Sequence, residues 1–140
     1  MQDLQDWVIK QLSVFVENKP GRLAAVTEVL YREKINIRAF TIAEAGDFGI
    51  IRMVVDRTED AFNALKNAGF TVTITRVLGV EVADEPGGLY KIAKALGEQG
   101  INIEYVYAFT HGDRALIILR VDDLEKAAEV LKKEGVLYKM

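Results

Sequence analysis

The chain has 140 residues, half of them hydrophobic, which is enough for one ordinary domain or two small ones with a substantial core. Its 21 acidic and 18 basic residues give a net charge of −3, and the basic residues are dispersed, which argues against binding to nucleic acid. The absence of cysteine excludes disulfides, thiolate catalysis and zinc–thiolate sites. The first residues do not form a secretory signal and no apolar run is long enough to span a membrane, so we expect a cytoplasmic protein.

In chain order, the hydrophobic periodicity predicts alternating strands and helices after an N-terminal extension of residues 1–8. The predicted elements are a strand at 9–17, a helix at 20–33, strands at 35–44 and 48–55, a helix at 58–68 capped by Thr58, and a strand at 70–75. Pro20 fits the first helical turn, where the N–H that proline lacks would be unpaired anyway. The βαββαβ order predicts an α+β fold of the ferredoxin-like type, with an antiparallel sheet and two helices on one face.

The landmarks of this segment recur 66 positions later without a gap. Matching pairs include Leu12 and Leu78, Pro20-Gly21 and Pro86-Gly87, Leu30 and Leu96, Asn36 and Asn102, and Gly69 and Gly135. A register kept over the whole length predicts two copies of one domain, at residues 9–74 and 75–140. Residues 72–82 are expected to form nearly one extended segment, and only residues 136–138 remain for the last strand.

The predicted strands are apolar on both faces. Residues 48–55 and 115–119 carry apolar side chains at successive positions, and Tyr105, Tyr107 and Phe109 share one face. Because so apolar a sheet face is normally covered, we expect it to pack on the second copy or on a second chain, and we predict a homodimer.

The usual catalytic and metal-binding groups are not grouped in this sequence. Ser13 is the only serine and His111 the only histidine, and they belong to different copies. There is no phosphate-binding glycine loop, no spaced set of metal ligands and no aromatic signature of an RNA-recognition motif. We therefore predict a protein that is not an enzyme and needs no metal or cofactor.

Two features recur in both copies without being required by core packing: the Pro-Gly turn before the first helix, and an asparagine flanked by isoleucines. A helix N-terminus offers unpaired N–H groups and a partial positive charge to a carboxylate. If the strand after the helix lies near the turn of a neighbouring copy, one gap could hold a free amino acid. Its carboxylate would face Gly21, and its ammonium would face the carbonyls of Asn18 and Asn36. The alternative for each asparagine is a helix cap or a strand-end hydrogen bond.

The segments ENKPGRL followed by KINI, and ADEPGGL followed by QGINI, resemble the ACT domain, a small amino-acid-binding regulatory module, over about residues 9–138. The resemblance implies a free-standing tandem ACT protein whose units lie side by side and bind effector amino acids where units meet. It also implies ligand contacts from the residue two before the proline and from the asparagine of the I-N-I segment. The predicted ligand-binding residues are Asn18, Gly21, Arg22, Leu23, Asn36, Asp84, Gly87, Gly88, Leu89 and Asn102.

The two predicted sites are not equivalent. Asp84 replaces Asn18 and would attract an ammonium but repel a carboxylate, and Gly88 replaces Arg22, which removes a cation. The first copy is therefore the preferred site of a protein that senses an amino acid and controls a partner enzyme or regulator. One alternative is a ligand-free interaction or dimerisation module. Another is a small enzyme acting on phosphate esters, for which Arg22 alone begins to supply a cationic cradle.

Overall fold

A computed structural model describes residues 4–140. Its strands and helices occur where the alternating and helical apolar patterns predict them. A 3₁₀ turn at Leu4–Asp6 precedes the first strand. The strands are β1 (Val8–Glu17), β2 (Ile37–Ala45), β3 (Phe48–Val55), β4 (Thr71–Ala83), β5 (Ile103–His111), β6 (Arg114–Val121) and β7 (Leu137–Tyr138). The helices are α1 (Arg22–Arg32), α2 (Thr58–Asn67), α3 (Gly88–Glu98) and α4 (Leu124–Lys133).

The chain forms two compact units, one of Lys10–Thr75 and one of Arg76–Met140 together with the described residues up to Ile9. Strand order is β2-β3-β1-β4 in the first unit; in the second it is β5-β6-β4, with β7 also pairing with β4. Every strand pair with a determined register is antiparallel. The prediction of two ferredoxin-like repeats is confirmed, and residues 72–82 lie within the single strand β4, as expected.

In the first unit, the helices cover one face of the sheet. Leu12, Val14, Ile51 and Met53 are at most 1% exposed and pack with α1 and α2 residues such as Leu30. Leu23, near the start of α1, is 36% exposed, and Ala68, the cap residue that follows α2, is exposed. The buried residues of α1 are Val26 and Leu30, so its contact with the core begins after the first turn.

The N-terminal segment is part of the second unit, which the sequence did not indicate. Leu4 and Val8 pack against the second core, whose fully buried members include Leu78, Leu96 and Leu119. Lys139 Nζ lies 5.4 Å from the centre of the Trp7 ring. Residues 4–9 thus add apolar contacts to a unit whose last strand, β7, has only two residues.

On the sheet face away from the helices, several side chains are also buried. Val77 and Ile118 in the second unit, and Ser13 and Val54 in the first, are at most 5% exposed. This face is therefore shielded from solvent at these positions, as the prediction of a covered face requires. Which surface covers it stays a prediction.

The prediction about the start of α2 is wrong. Thr58 does not cap α2: it is the first helical residue, Arg57 occupies the cap position, and no side chain accepts a capping hydrogen bond there. In the matching helix α4, Asp123 is the cap and its side chain accepts from the Lys126 backbone N–H. A short carboxylate suits that role, whereas a residue already inside the helix cannot take it.

Gly79 is a position where a side chain would be crowded in the second unit. A Cβ placed there would lie 2.8 Å from Ile9 Cδ1 and 3.3 Å from the Tyr138 carbonyl oxygen. The first copy carries Ser13 at the matching position. The glycine therefore permits the N-terminal segment and β7 to approach the middle of β4.

We expect Gly79→Ala to lower the free energy of unfolding by about 1 kcal/mol, because the added Cβ would displace the end of the Ile9 side chain and crowd the Tyr138 carbonyl. Gly49→Ala is the matched control, since a Cβ at Gly49 meets its nearest atom at 3.7 Å, an ordinary contact distance. Urea denaturation of both full-length variants measures the difference. Equal stability of the two variants would show that Ile9 does not occupy this position.

Candidate functional site

Each Pro-Gly pair forms a tight turn that ends where the helix begins. The Arg22 N–H donates to the Lys19 carbonyl at 3.4 Å, with Pro20 and Gly21 between them, and Gly21 has φ 89° and ψ −8°. These values and residue types define a type II turn. The prediction that Pro20 lies in the first helical turn is therefore wrong. The left-handed backbone of Gly21 separates Pro20 from the helix, which begins at Arg22.

The second copy repeats this geometry. The Gly88 N–H donates to the Glu85 carbonyl at 3.2 Å, and Gly87 has φ 93° and ψ −5°. A Cβ at Gly21 or Gly87 would meet nothing within 4 Å. Glycine is thus required by the positive φ alone, and the space beside each turn is open to solvent or to a ligand.

No side chain caps α1 or α3. The first amides of a helix have no intrahelical acceptor, and they carry the positive end of the helix dipole. Arg22, the first residue of α1, adds a guanidinium whose Nε atom is buried without a hydrogen-bond partner among residues 4–140. The start of α1 can therefore bind an anion.

Asn18 is fixed to the turn between β2 and β3. Its N–H donates to the Asp47 carbonyl at 2.8 Å, and its side-chain Nδ2 donates to the Gly46 carbonyl at 3.2 Å. This orientation leaves the Oδ1 atom as an acceptor. In the second copy the Asp84 N–H donates to the Asp113 carbonyl at 2.8 Å, but a carboxylate cannot repeat the side-chain donation.

Asn36 is fixed by its backbone to an aspartate that sequence reasoning missed. The Asn36 N–H donates to Asp56 Oδ1 at 3.1 Å, and the Asp56 N–H donates to the Asn36 carbonyl at 3.1 Å. Asn102 and Asp122 make the same pair of bonds, at 3.0 and 3.2 Å. The repeat of Asp56 at Asp122 was visible in the sequence as Val-Asp in both copies. These bonds are strand-end hydrogen bonds, and both asparagine side chains are exposed.

Asn18 and Asn36 lie at opposite ends of the same sheet. Asn18 contacts the turn that leads into β3, whereas Asn36 contacts Asp56, just after β3 ends. The eight residues of β3, at roughly 3.3 Å each, separate the two by more than 20 Å. One small ligand therefore cannot reach both asparagines of a single unit.

The first unit contains a cavity of about 450 Å³ between α1 and the strands β2 and β3. Its lining residues are Leu23, Ala24, Thr27, Ile37, Arg38, Phe40, Ile51 and Met53. Of the predicted residues in this copy, Leu23 lines the cavity, and Asn18, Gly21, Arg22 and Asn36 do not. The cavity is nevertheless bordered by the neighbours of both predicted features, since Leu23 follows the turn and Ile37 follows Asn36. Its volume suits a small molecule.

The second unit contains a cavity of about 360 Å³ beside its own turn. Among the predicted residues, Asp84, Gly88 and Leu89 line it, and Gly87 and Asn102 do not. Gly88 also lines a further cavity of about 310 Å³, whose charged residues are Glu81, Glu85, Lys91, Arg114 and Glu134. With Asp84 and Glu85 in the lining of the 360 Å³ cavity, the turn of the second copy is more acidic than that of the first.

Within residues 4–140, no cluster of histidine, cysteine or acidic side chains could hold a metal ion. Ser13 is buried and accepts from Gln11 Nε2 at 3.4 Å, while His111 is exposed at the end of β5. No helix in this part of the chain is both long enough and apolar enough to cross a membrane.

Two ferredoxin-like units with a cavity beside each helix start define a tandem of small α+β modules. The chain belongs to the ACT domain pair family, whose model matches residues 7–139. No curated protein matches the chain.

Among solved structures, protein BT0572 from Bacteroides thetaiotaomicron is 45% identical to this chain, with a TM-score of 0.91 over 95% of this chain and 93% of that one. The ligand-free regulatory subunit of aspartate kinase from Thermus thermophilus is 18% identical, with a TM-score of 0.69 over 91% of this chain and 93% of that one. The regulatory subunit from Thermus flavus is 18% identical, with a TM-score of 0.62 over 91% and 95% of the two chains. The aspartate kinase subunits establish a shared fold.

The turn geometry predicts the cost of replacing its glycine. Gly21→Ala should lower the free energy of unfolding by about 1–2 kcal/mol, because alanine is strained at this φ although it has space. Gly21→Asn should cost less, since asparagine tolerates the left-handed region. Gly97→Ala, in the last turn of α3 with open space around it, is the control and should stabilise by about 0.5–1 kcal/mol. Chemical denaturation checks the order, and an Ala variant at Gly21 as stable as wild type would contradict the turn assignment.

Proposed function

We propose that this protein senses a free amino acid where ACT units meet and thereby controls a partner enzyme or regulator. The observation that carries the proposal is the uncapped, glycine-led start of α1 beside a ligand-sized cavity, in a chain that belongs to the ACT domain pair family. The first copy is the proposed site.

The carboxylate of the effector would bind at the start of α1. The first amides of this helix need an acceptor, and Arg22 Nε is a buried donor without a partner among the described residues. A buried donor left unpaired costs about 1–3 kcal/mol. An incoming carboxylate would satisfy both groups, which supports this placement.

The ammonium of the effector would face side-chain carbonyl oxygens. Asn18 Oδ1 is available because Nδ2 is used by the Gly46 carbonyl. Asn36 of the same unit lies at the far end of β3. The Asn36 that contacts the ammonium would therefore have to belong to a second ACT unit. This requirement supports a site formed where units meet, and with it the predicted homodimer.

The second copy is a poorer site for a carboxylate. Asp84 and Glu85 both line its cavity, where the first copy has Asn18 and Lys19 at the matching positions. A carboxylate entering there would face two like charges and would lack the guanidinium of Arg22. We therefore propose one effector site for each chain.

Regulation requires that the effector bind one packing state of the protein more tightly than another. A partner that recognises only the effector-bound state would then respond to the amino acid concentration. A cytoplasmic location, which would suit a sensor of free amino acids, remains a prediction from the sequence.

A screen of free amino acids by thermal shift and chemical denaturation tests the proposal. An effector at one hundred times its dissociation constant should stabilise the protein by about 2.7 kcal/mol. The proposal fails if no amino acid stabilises the chain at millimolar concentration.

The site is tested with Asn18→Ala and Asn36→Ala, each of which should weaken the stabilisation by the effector. Asn63→Ala, an exposed asparagine on α2, is the matched control and should leave the stabilisation unchanged. If the effector stabilises the Asn36→Ala variant as much as wild type, the ammonium binds elsewhere.

A second candidate function is a ligand-free dimerisation module. Strand β2 is at one end of the strand order, and its side chains Phe40 and Ile42 are 55% and 49% exposed. Such an edge is a template for pairing with another chain. Light scattering after size exclusion, with and without amino acids, discriminates the two. A constant dimer that no amino acid stabilises supports the second function, and a monomer contradicts it.

A further inference from the structure

A β-bulge in β2 lets three of its side chains, one of them charged, line the cavity of the first unit. Ile37 pairs with Val55 and Ala39 pairs with Val54, so Arg38 has no partner on β3. Strand alternation alone would place Arg38 and Phe40 on one face and Ile37 on the other. Because the bulge adds one residue, all three line the same cavity.

Apart from Arg38, the cavity offers an apolar surface. Ile51 and Met53, each 1% exposed, form its buried part, and Leu23, Ile37 and Phe40 are further walls. The only other polar side chain in the lining is Thr27, whose hydroxyl lies 2.8 Å from the Leu23 carbonyl and 3.2 Å from the Ala24 carbonyl. Its hydrogen is thus engaged within α1, and a polar ligand group inside the cavity would lose its hydrogen bonds to water.

Arg38 is exposed and forms no ion pair with any carboxylate of residues 4–140. A free guanidinium bordering an otherwise apolar cavity matches a molecule with a carboxylate at one end and an apolar body at the other. Leu23 and Ala24 place the start of α1 on the same cavity, so the carboxylate would have Arg38 on one wall and the unpaired amides of the helix start on the other.

The second copy carries the same bulge with the opposite charge. Ile103 pairs with Val121 and Tyr105 pairs with Arg120, which leaves Glu104 as the extra residue. Its carboxylate is held by Arg120 at 3.1 Å, and Glu104 does not line the 360 Å³ cavity. The β-bulge is therefore repeated, but at the bulge the group that would attract a carboxylate is present only in the first copy.

We propose that the effector is a carboxylate with a branched or aromatic apolar body, bound with that body against Ile51 and Met53 and with its carboxylate paired to Arg38. The chemical class covers the apolar α-amino acids and the 2-oxo acids that share their side chains. The inference rests on the proposed function for the place of the site, and adds the class of ligand and the residue that selects it.

Titration calorimetry on the full-length chain tests the proposal, with leucine, phenylalanine, the 2-oxo acid that has the side chain of leucine, leucinamide, serine and aspartate as probes. Leucine or phenylalanine should bind at least tenfold more tightly than serine and aspartate. Leucinamide lacks the carboxylate and should bind at least tenfold more weakly than leucine. Preferred binding of serine or aspartate would overturn the inference and leave an amino-acid sensor in place.

Two variants test the residues. Arg38→Gln should weaken leucine binding at least tenfold without changing the melting temperature of the ligand-free chain, because Arg38 is exposed and unpaired among residues 4–140. Glu104→Gln is the matched control at the second bulge and should change the affinity less than twofold. Unchanged affinity in the Arg38→Gln variant would overturn the proposal.

Ala24→Tyr places a large side chain in the cavity wall. The second copy has Tyr90 at the matching position, where it is 65% exposed, so the helix surface tolerates a tyrosine there. The variant should fold and lose binding of leucine, and retained binding would show that the apolar body lies elsewhere. If the 2-oxo acid binds as tightly as leucine and Asn36→Ala has no effect, the amino-acid function fails, while the assigned class of ligand stands.

Discussion

The left-handed glycine after each proline is the constraint on which the candidate sites depend. At Gly21 and Gly87 the backbone adopts φ near 90° with open space around it, so the residue is fixed by conformation and not by packing. This turn decides where α1 and α3 begin, and hence where their unpaired amides point. It also frees the helix start from any capping side chain, which leaves the positive end of the dipole for an external anion.

The two copies share a backbone and differ in charge. Lys19, Arg22 and Arg38 in the first copy are matched by Glu85, Gly88 and Glu104 in the second, although Lys19 is partly offset by Glu17 at 3.3 Å. Turns, bulges and the strand-end aspartates repeat, because each is set by backbone geometry that the fold needs. The charges are free to diverge, because Lys19 and Arg38 are exposed and Arg22 is only partly buried. A repeated fold can therefore hold one site suited to a carboxylate and one that repels it.

The sequence sufficed for the repeat, the order of elements and the fold class, since these follow from hydrophobic periodicity. It failed where one residue changes the geometry. Pro20 fits a helix start and a type II turn equally well. The bulge at Arg38 cannot be predicted from a pattern that assumes strict alternation. The packing of Leu4 and Val8 on the second unit is a long-range contact with no local signal. The position of the Pro-Gly turn before each first helix was therefore predictable, but the place of Arg38 at the cavity, the bonds of Asp56 and the separation of Asn18 from Asn36 required the structure.

One backbone repeated twice is proposed to make a single amino-acid site, in the first copy. The stoichiometry of effector binding, measured by calorimetry on the full-length protein, tests this most directly. One effector should bind to each chain, with the second copy empty at saturation. Two equivalent effectors for each chain would contradict it, because the acidic turn of the second copy would then bind a carboxylate as well as the basic turn of the first.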